Sequence, residues 1–135
     1  MSEANDLEPV YLTLEDTFEL YAAIIDGTVA HARDQLRNRG GLESALARPA
    51  SYAHYEGADL VIQAAVLAHG IAEDQSFVDG NKRLALVAML TFLEINGYRL
   101  PVSDRELADW ISDLSTGTSF EQLADRIRAA IASTD

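Results

Sequence analysis

Cysteine is absent from this chain of 135 residues, so neither a disulfide nor a thiolate metal site can form. That suits a reducing compartment, and a cytoplasmic protein is the expectation. Basic residues are scarce: 10 against 22 acidic ones, a formal net charge of −12. Binding along a nucleic-acid backbone needs a basic face and is not expected. A basic partner segment is compatible with the charge, and so is plain solubility. No apolar run is long and uninterrupted enough to span a membrane. The start, Met1-Ser2-Glu3-Ala4-Asn5-Asp6, is acidic and lacks the basic and apolar regions of a signal peptide. No internal repeat, linker or low-complexity tract breaks the chain. The apolar fraction of 48% places it among folded proteins rather than disordered ones. One domain over 1–135 is expected, with residues 1–9 flexible.

What is present is helical periodicity. From Thr13, the residues Leu14, Phe18, Tyr21, Ala22, Ile25 and Val29 form one apolar stripe. Val10-Tyr11-Leu12 before it reads as a short extended segment. Asn38 to Gly41 reads as a loop, and Leu42 to Ala47 as a short helix stopped by Pro49. Asp59 is placed to cap a buried helix from Leu60 to about Gly70. A second buried helix spans Lys82 to Asn96, with Gly97 as its left-handed terminator. Ser103 to Glu106 and Thr118 to Glu121 have the form of capping boxes for two amphipathic helices, the first carrying Leu107, Trp110, Ile111 and Leu114. The expected architecture is all-α, about six helices around the 82–96 helix.

The most informative stretch is Gln75-Ser76-Phe77-Val78-Asp79-Gly80-Asn81-Lys82-Arg83, a polar loop that runs straight into that apolar helix. Asn81 is a suitable N-cap. Lys82 and Arg83 fall in the first turn, where two cations are each unfavourable by about 0.3–1 kcal/mol unless an anion joins them. Free amides, a glycine that admits close approach and two cations together make a phosphate site, with Gly80, Asn81, Lys82 and Arg83 as its members. Asp79 has the chemistry of a Mg²⁺ ligand, because magnesium is commonly held by a lone carboxylate plus phosphate oxygens. Phe77 reads as an apolar anchor.

This loop resembles the H-x-F-x-(D/E/N)-(G/A)-N-(G/K)-R motif of the Fic/Doc superfamily, matching at Phe77, Asp79, Gly80, Asn81, Lys82 and Arg83. Lys82, and Leu86 where Fic enzymes usually carry a second arginine, are similar to the Doc branch. Arg39 to Pro49 resembles a second Doc-type segment, though less specifically. The motif's catalytic histidine falls on Gln75. The resemblance implies a Fic/Doc-like fold and a transferase that uses ATP, or another nucleoside triphosphate, with Mg²⁺. Fic enzymes transfer AMP. Doc phosphorylates the translation factor elongation factor Tu, as the toxin of a toxin–antitoxin pair. Catalytic roles would fall on Gln75, Asp79, Lys82 and Arg83.

Gln75 divides the expectation. An amide cannot take a proton from an attacking hydroxyl, a contribution of about 10²–10⁴-fold, but it can orient one. Phosphoryl transfer depends mostly on positioning and electrostatics, so altered or weakened chemistry is one reading. A nucleotide- or peptide-binding relative that has lost catalysis is the other. His69, Glu73 and Asp74, just upstream, are the residues able to substitute; they also suit a helix end and a solvated loop. His54 and Tyr52 could line a cleft. The self-inhibitory motif (S/T)-x-x-x-E-(G/N) of many Fic proteins is missing. A small antitoxin binding near Arg39 to Pro49 and the loop mouth is therefore the expected partner, beside the protein target.

Overall fold

A computed structural model describes residues 8–134; the expected flexibility of residues 1–9 falls mostly outside them. Helix α1 (Leu14–Ile24) starts at Thr13, whose side chain and that of Asp16 cap each other's backbone. The apolar stripe does not continue unbroken to Val29 as the periodicity suggests. Asp26 takes a left-handed φ of 54°, and Thr28 caps a separate helix α2 (Val29–Asp34) by accepting from the His31 amide. Among the described residues this makes seven helices, one more than the sequence pattern counts. Residues 10–12 belong to no strand. The Asn96 side chain instead brackets Val10, accepting from its N–H at 2.8 Å and donating to its carbonyl at 3.0 Å.

Helix α3 (Arg39–Glu56) differs most from expectation. Asn38 caps it, so Gly40 and Gly41 lie in its first turn rather than in a loop, and it runs through Pro49. An interior proline costs about 3 kcal/mol through its lost N–H and its clash with the preceding turn. Pro49 is buried together with Leu42 and Ala45, so tertiary packing outweighs the local penalty. The stop comes at Gly57, in the left-handed region at φ 63°. Helix α4 (Leu60–Asp74), capped by Asp59, runs one turn beyond Gly70, to a left-handed Gln75 with φ 46°. Helix α5 (Asn81–Ile95) lies centrally as expected, sharing the middle of the molecule with α4. Small and large side chains are fully buried on both: Ala64, Ala68, Ala85 and Ala88 beside Leu67, Met89 and Phe92.

Beyond Gly97, at φ 91°, the two-residue strand β1 (Tyr98–Arg99) pairs antiparallel with β2 (Ala132–Ser133), tying the C-terminus to the end of α5. Helix α6 (Asp104–Leu114) is capped by Ser103, which accepts from the Glu106 amide. Helix α7 (Phe120–Ala130) does have a capping box, but one residue later than the pattern suggests. It uses Ser119 with Gln122, because Gln122 and not Glu121 occupies the third helical position. The fold is all-α apart from this short β pair. No helix among the described residues is long and apolar enough to cross a membrane.

Asp59 joins two elements: it accepts from the Ile62 amide and from Arg128 of α7, at 3.0 and 2.7 Å. The Arg128 hydrogen bond foremost, opposed by partial burial and helped by the amides of Ile62 and Val61, holds its carboxyl below the ordinary range. A depressed carboxylate contributes stability that is complete above its unfolded pKa and is lost as pH falls through the folded one. Denaturant melts should therefore show acid destabilisation setting in below about pH 4. Asp59→Asn should lower stability at pH 7 and flatten that acid limb, whereas an unchanged limb would mean the pair contributes nothing measurable.

Candidate functional site

The stretch from Gln75 to Arg83 turns the chain from the end of α4 into the start of α5, and it is held at four places. Phe77, 2% exposed, stacks on Tyr21 of α1 with ring centroids 3.9 Å apart and meets Phe18 edge-on at 6.2 Å. The Asn81 amide grips the Phe77 backbone on both sides, accepting from its N–H and donating to its carbonyl, each at 3.0 Å. The Tyr21 hydroxyl donates to the Asp79 carbonyl at 2.8 Å. The segment also pairs with the α2–α3 connection. The Ser76 carbonyl accepts from the amides of Arg37 and Asn38, and the Val78 amide donates to the Gln35 carbonyl.

Asn81 is therefore not the N-cap expected from the sequence. Gly80 takes that position at φ 77°, a left-handed geometry that suits glycine, and no side chain caps α5. The reason is geometric: Asn81 lies one residue inside the helix, and its amide is spent on Phe77. The first amides of α5 are left without a side-chain partner, and they point out of the helix start as anion donors do.

Around these amides the structure gathers the charged members. Lys82 and Arg83 are exposed, and neither forms an ion pair with another described residue. The Asp79 carboxylate accepts from the Gly80 amide through Oδ1 at 2.7 Å, and its second oxygen takes no hydrogen bond from another described residue. A cavity of about 300 Å³ is lined by Gln75 and every residue from Val78 to Arg83. A second, of about 260 Å³, shares Gln75 and Lys82 with it and continues to His69, Glu73, Leu114 and Ser115. A third, of about 520 Å³, runs from Lys82 and Arg83 between α5 and α6, floored by Leu86, Val87 and Leu90. All six expected site residues, Gln75, Asp79, Gly80, Asn81, Lys82 and Arg83, thus line one cavity.

Two other candidates do not join them. Tyr52 packs edge-on against Phe120, and His54 against the exposed Tyr55. Conversely, Tyr21 reads from the sequence only as a core residue of the apolar stripe. Its hydroxyl was the available signal, because a buried phenol needs an acceptor. Burial pushes that phenol up from its ordinary range, partly opposed by its bond to the Asp79 backbone, so it stays a donor at neutral pH. No cluster of three or more His, Cys, Asp or Glu side chains suited to a metal occurs among the described residues. Asp79 presents one carboxylate oxygen with no hydrogen bond to another described residue, the donor type that a hard cation takes.

Comparison with known proteins bears on the family of the chain. A sequence model of the Fic/DOC family matches residues 11–93, the span from α1 through most of α5. The chain is also 36% identical over 94 residues to Toxin Doc of Mycolicibacterium smegmatis, an overlap of 67% of either protein.

The double grip of Asn81 on Phe77 has a measurable weight. Asn81→Ala leaves the Phe77 N–H and carbonyl without their partner, which costs about 1–3 kcal/mol. Asn81→Asp keeps the acceptor and should lose less. Urea melts of the two variants should rank in that order below the parent, and equal stability of all three would show the grip to be immaterial.

Proposed function

The chain belongs to the Fic/Doc family, and from that premise we propose that it is a Doc-like transferase. It would move a phosphoryl group from ATP, or another nucleoside triphosphate, to a hydroxyl of a protein target. The observation that carries the reading is the pair of unpartnered cations, Lys82 and Arg83, at a helix start that no side chain caps, in a chain of net charge −12. Such a site is incomplete without an anion.

In this reading the amides around Gly80 and Asn81 cradle the phosphates. Arg83 clamps phosphate oxygens bidentately, and Lys82 adds a point charge. Asp79 would hold magnesium, which would supply positive charge to offset that developing during the transfer. Gln75 donates or accepts a hydrogen bond that aims the target hydroxyl at the phosphorus. Because the loop is held in place before any ligand arrives, little ordering entropy opposes binding. A toxin role in a toxin–antitoxin pair follows from the likeness to Toxin Doc. A translation factor as target, a small antitoxin as partner, and a cytoplasmic site of action complete the proposal.

One observation favours a second reading. Gln75 stands where the family's proton acceptor stands, and a chain without a base could bind nucleotide or peptide and do no chemistry.

Titration calorimetry with ATP and Mg²⁺ tests the common ground of the two. Arg83→Ala should weaken binding at least tenfold, and equal affinity in the variant would remove the phosphate-site reading. The partner has its own test. Co-expression with the neighbouring gene should give a complex in which hydrogen exchange slows in α3 and at the mouth of the 75–83 loop. A chain that shows no protection on mixing speaks against the toxin–antitoxin role.

A further inference from the structure

We propose that His69, oriented by Glu73, is the base that accepts the target's proton, in place of a histidine at position 75. This rests on the phosphoryl-transfer reading above. Three upstream side chains can hold a proton, and the structure sorts them. Asp74 faces α3, where its carboxylate lies 3.7 Å from Arg48. Glu73 is largely exposed, and its Oε2 lies 3.4 Å from His69 Nε2. His69 is shielded to a greater degree, with its side chain 27% exposed and its ring set against the edge of Phe120 at 6.2 Å. It is also the one histidine that lines a cavity adjoining the loop; His31 and His54 are exposed elsewhere.

The electrostatics suit the role. A carboxylate this close pairs with the imidazolium that forms when His69 takes the proton. The charged groups around the cavity are Glu73 from α4 and Lys82 from α5; the other wall offers the uncharged Leu114 and Ser115. The His69 cavity and the phosphate cavity meet at Gln75 and Lys82. A hydroxyl held by Gln75 at that junction has His69 on one side and the phosphates on the other. In the step itself the hydroxyl oxygen bonds to the γ-phosphorus while the bond from that phosphorus to the β,γ-bridging oxygen breaks. The hydroxyl proton passes to the His69 imidazole, and the nucleoside diphosphate leaves with the electron pair.

The experiment follows transfer of label from γ-³²P-ATP with Mg²⁺ to proteins of a bacterial cytosolic extract, using the full chain. Its variants are His69→Gln, Gln75→His, the two combined, and Arg83→Ala. His69→Gln should lower the turnover rate by about 10²–10⁴-fold with ATP affinity unchanged. Adding Gln75→His to it should restore transfer, which a merely structural defect at His69 would not allow. Wild-type turnover in His69→Gln overturns the proposal, and so does a loss that Gln75→His fails to recover. An inert parent chain with an active Gln75→His variant also overturns it, while leaving the transferase site intact. If no form transfers label, including Gln75→His, the transferase reading fails as well. Transfer that survives Arg83→Ala fails that reading on its own.

Discussion

The stacking of Phe77 on Tyr21 is the contact on which the rest of the site depends. One ring belongs to the loop and the other to the first helix, and both are almost fully buried. An aromatic pair adds roughly 0.5–1.5 kcal/mol beyond the apolar area it removes from water. Its position matters more than that figure. With Phe77 fixed, Asn81 can grip the backbone on either side of it, and Tyr21 can reach past the ring to the Asp79 carbonyl. The residues between these attachments have few backbone states left. Lys82, Arg83 and the Asp79 carboxylate project from a support that packing has already made rigid, so a ligand need not organise it.

The net charge is negative, and Lys82 and Arg83 stand out against it. Several basic residues are engaged by carboxylates: Arg33 by Glu15, Arg126 by Asp113, Arg128 by Asp59. Lys82 and Arg83 are spared. The acidic surface reaches the cavities that Lys82 and Arg83 line, through Glu73, Asp79 and Asp104. It can discourage anions from settling elsewhere.

The helical architecture was legible because period-3.6 patterning, capping residues and terminal glycines carry it locally. Thr13, Asp59 and Ser103 cap where their types suggested. The misreadings share a cause, which is that tertiary contacts overrode a local rule. Pro49 does not end α3, because the helix is worth more packed than broken there. Asn81 does not cap α5, because its amide finds two backbone partners in the loop instead. At the site, the residue types and their tight spacing were enough to place six residues around one cavity. The support from Tyr21 and from the α2–α3 connection was not legible. Those contacts join residues roughly 40 to 60 positions apart, and no local pattern announces them.

Residue 75 is attached to none of these restraints. It sits at the left-handed end of α4, just before the first gripped residue, so a change of side chain there leaves the Phe77, Asn81 and Asp79 contacts as they are. Its φ of 46° is the one condition it imposes. That geometry excludes β-branched side chains at little strain and admits unbranched or locally hydrogen-bonding ones, histidine among them. Histidine and glutamine codons differ by a single base. The lineage could thus cross between the two residues in one step, in either direction, with the phosphate cradle carried along unaltered and open to selection for a different use.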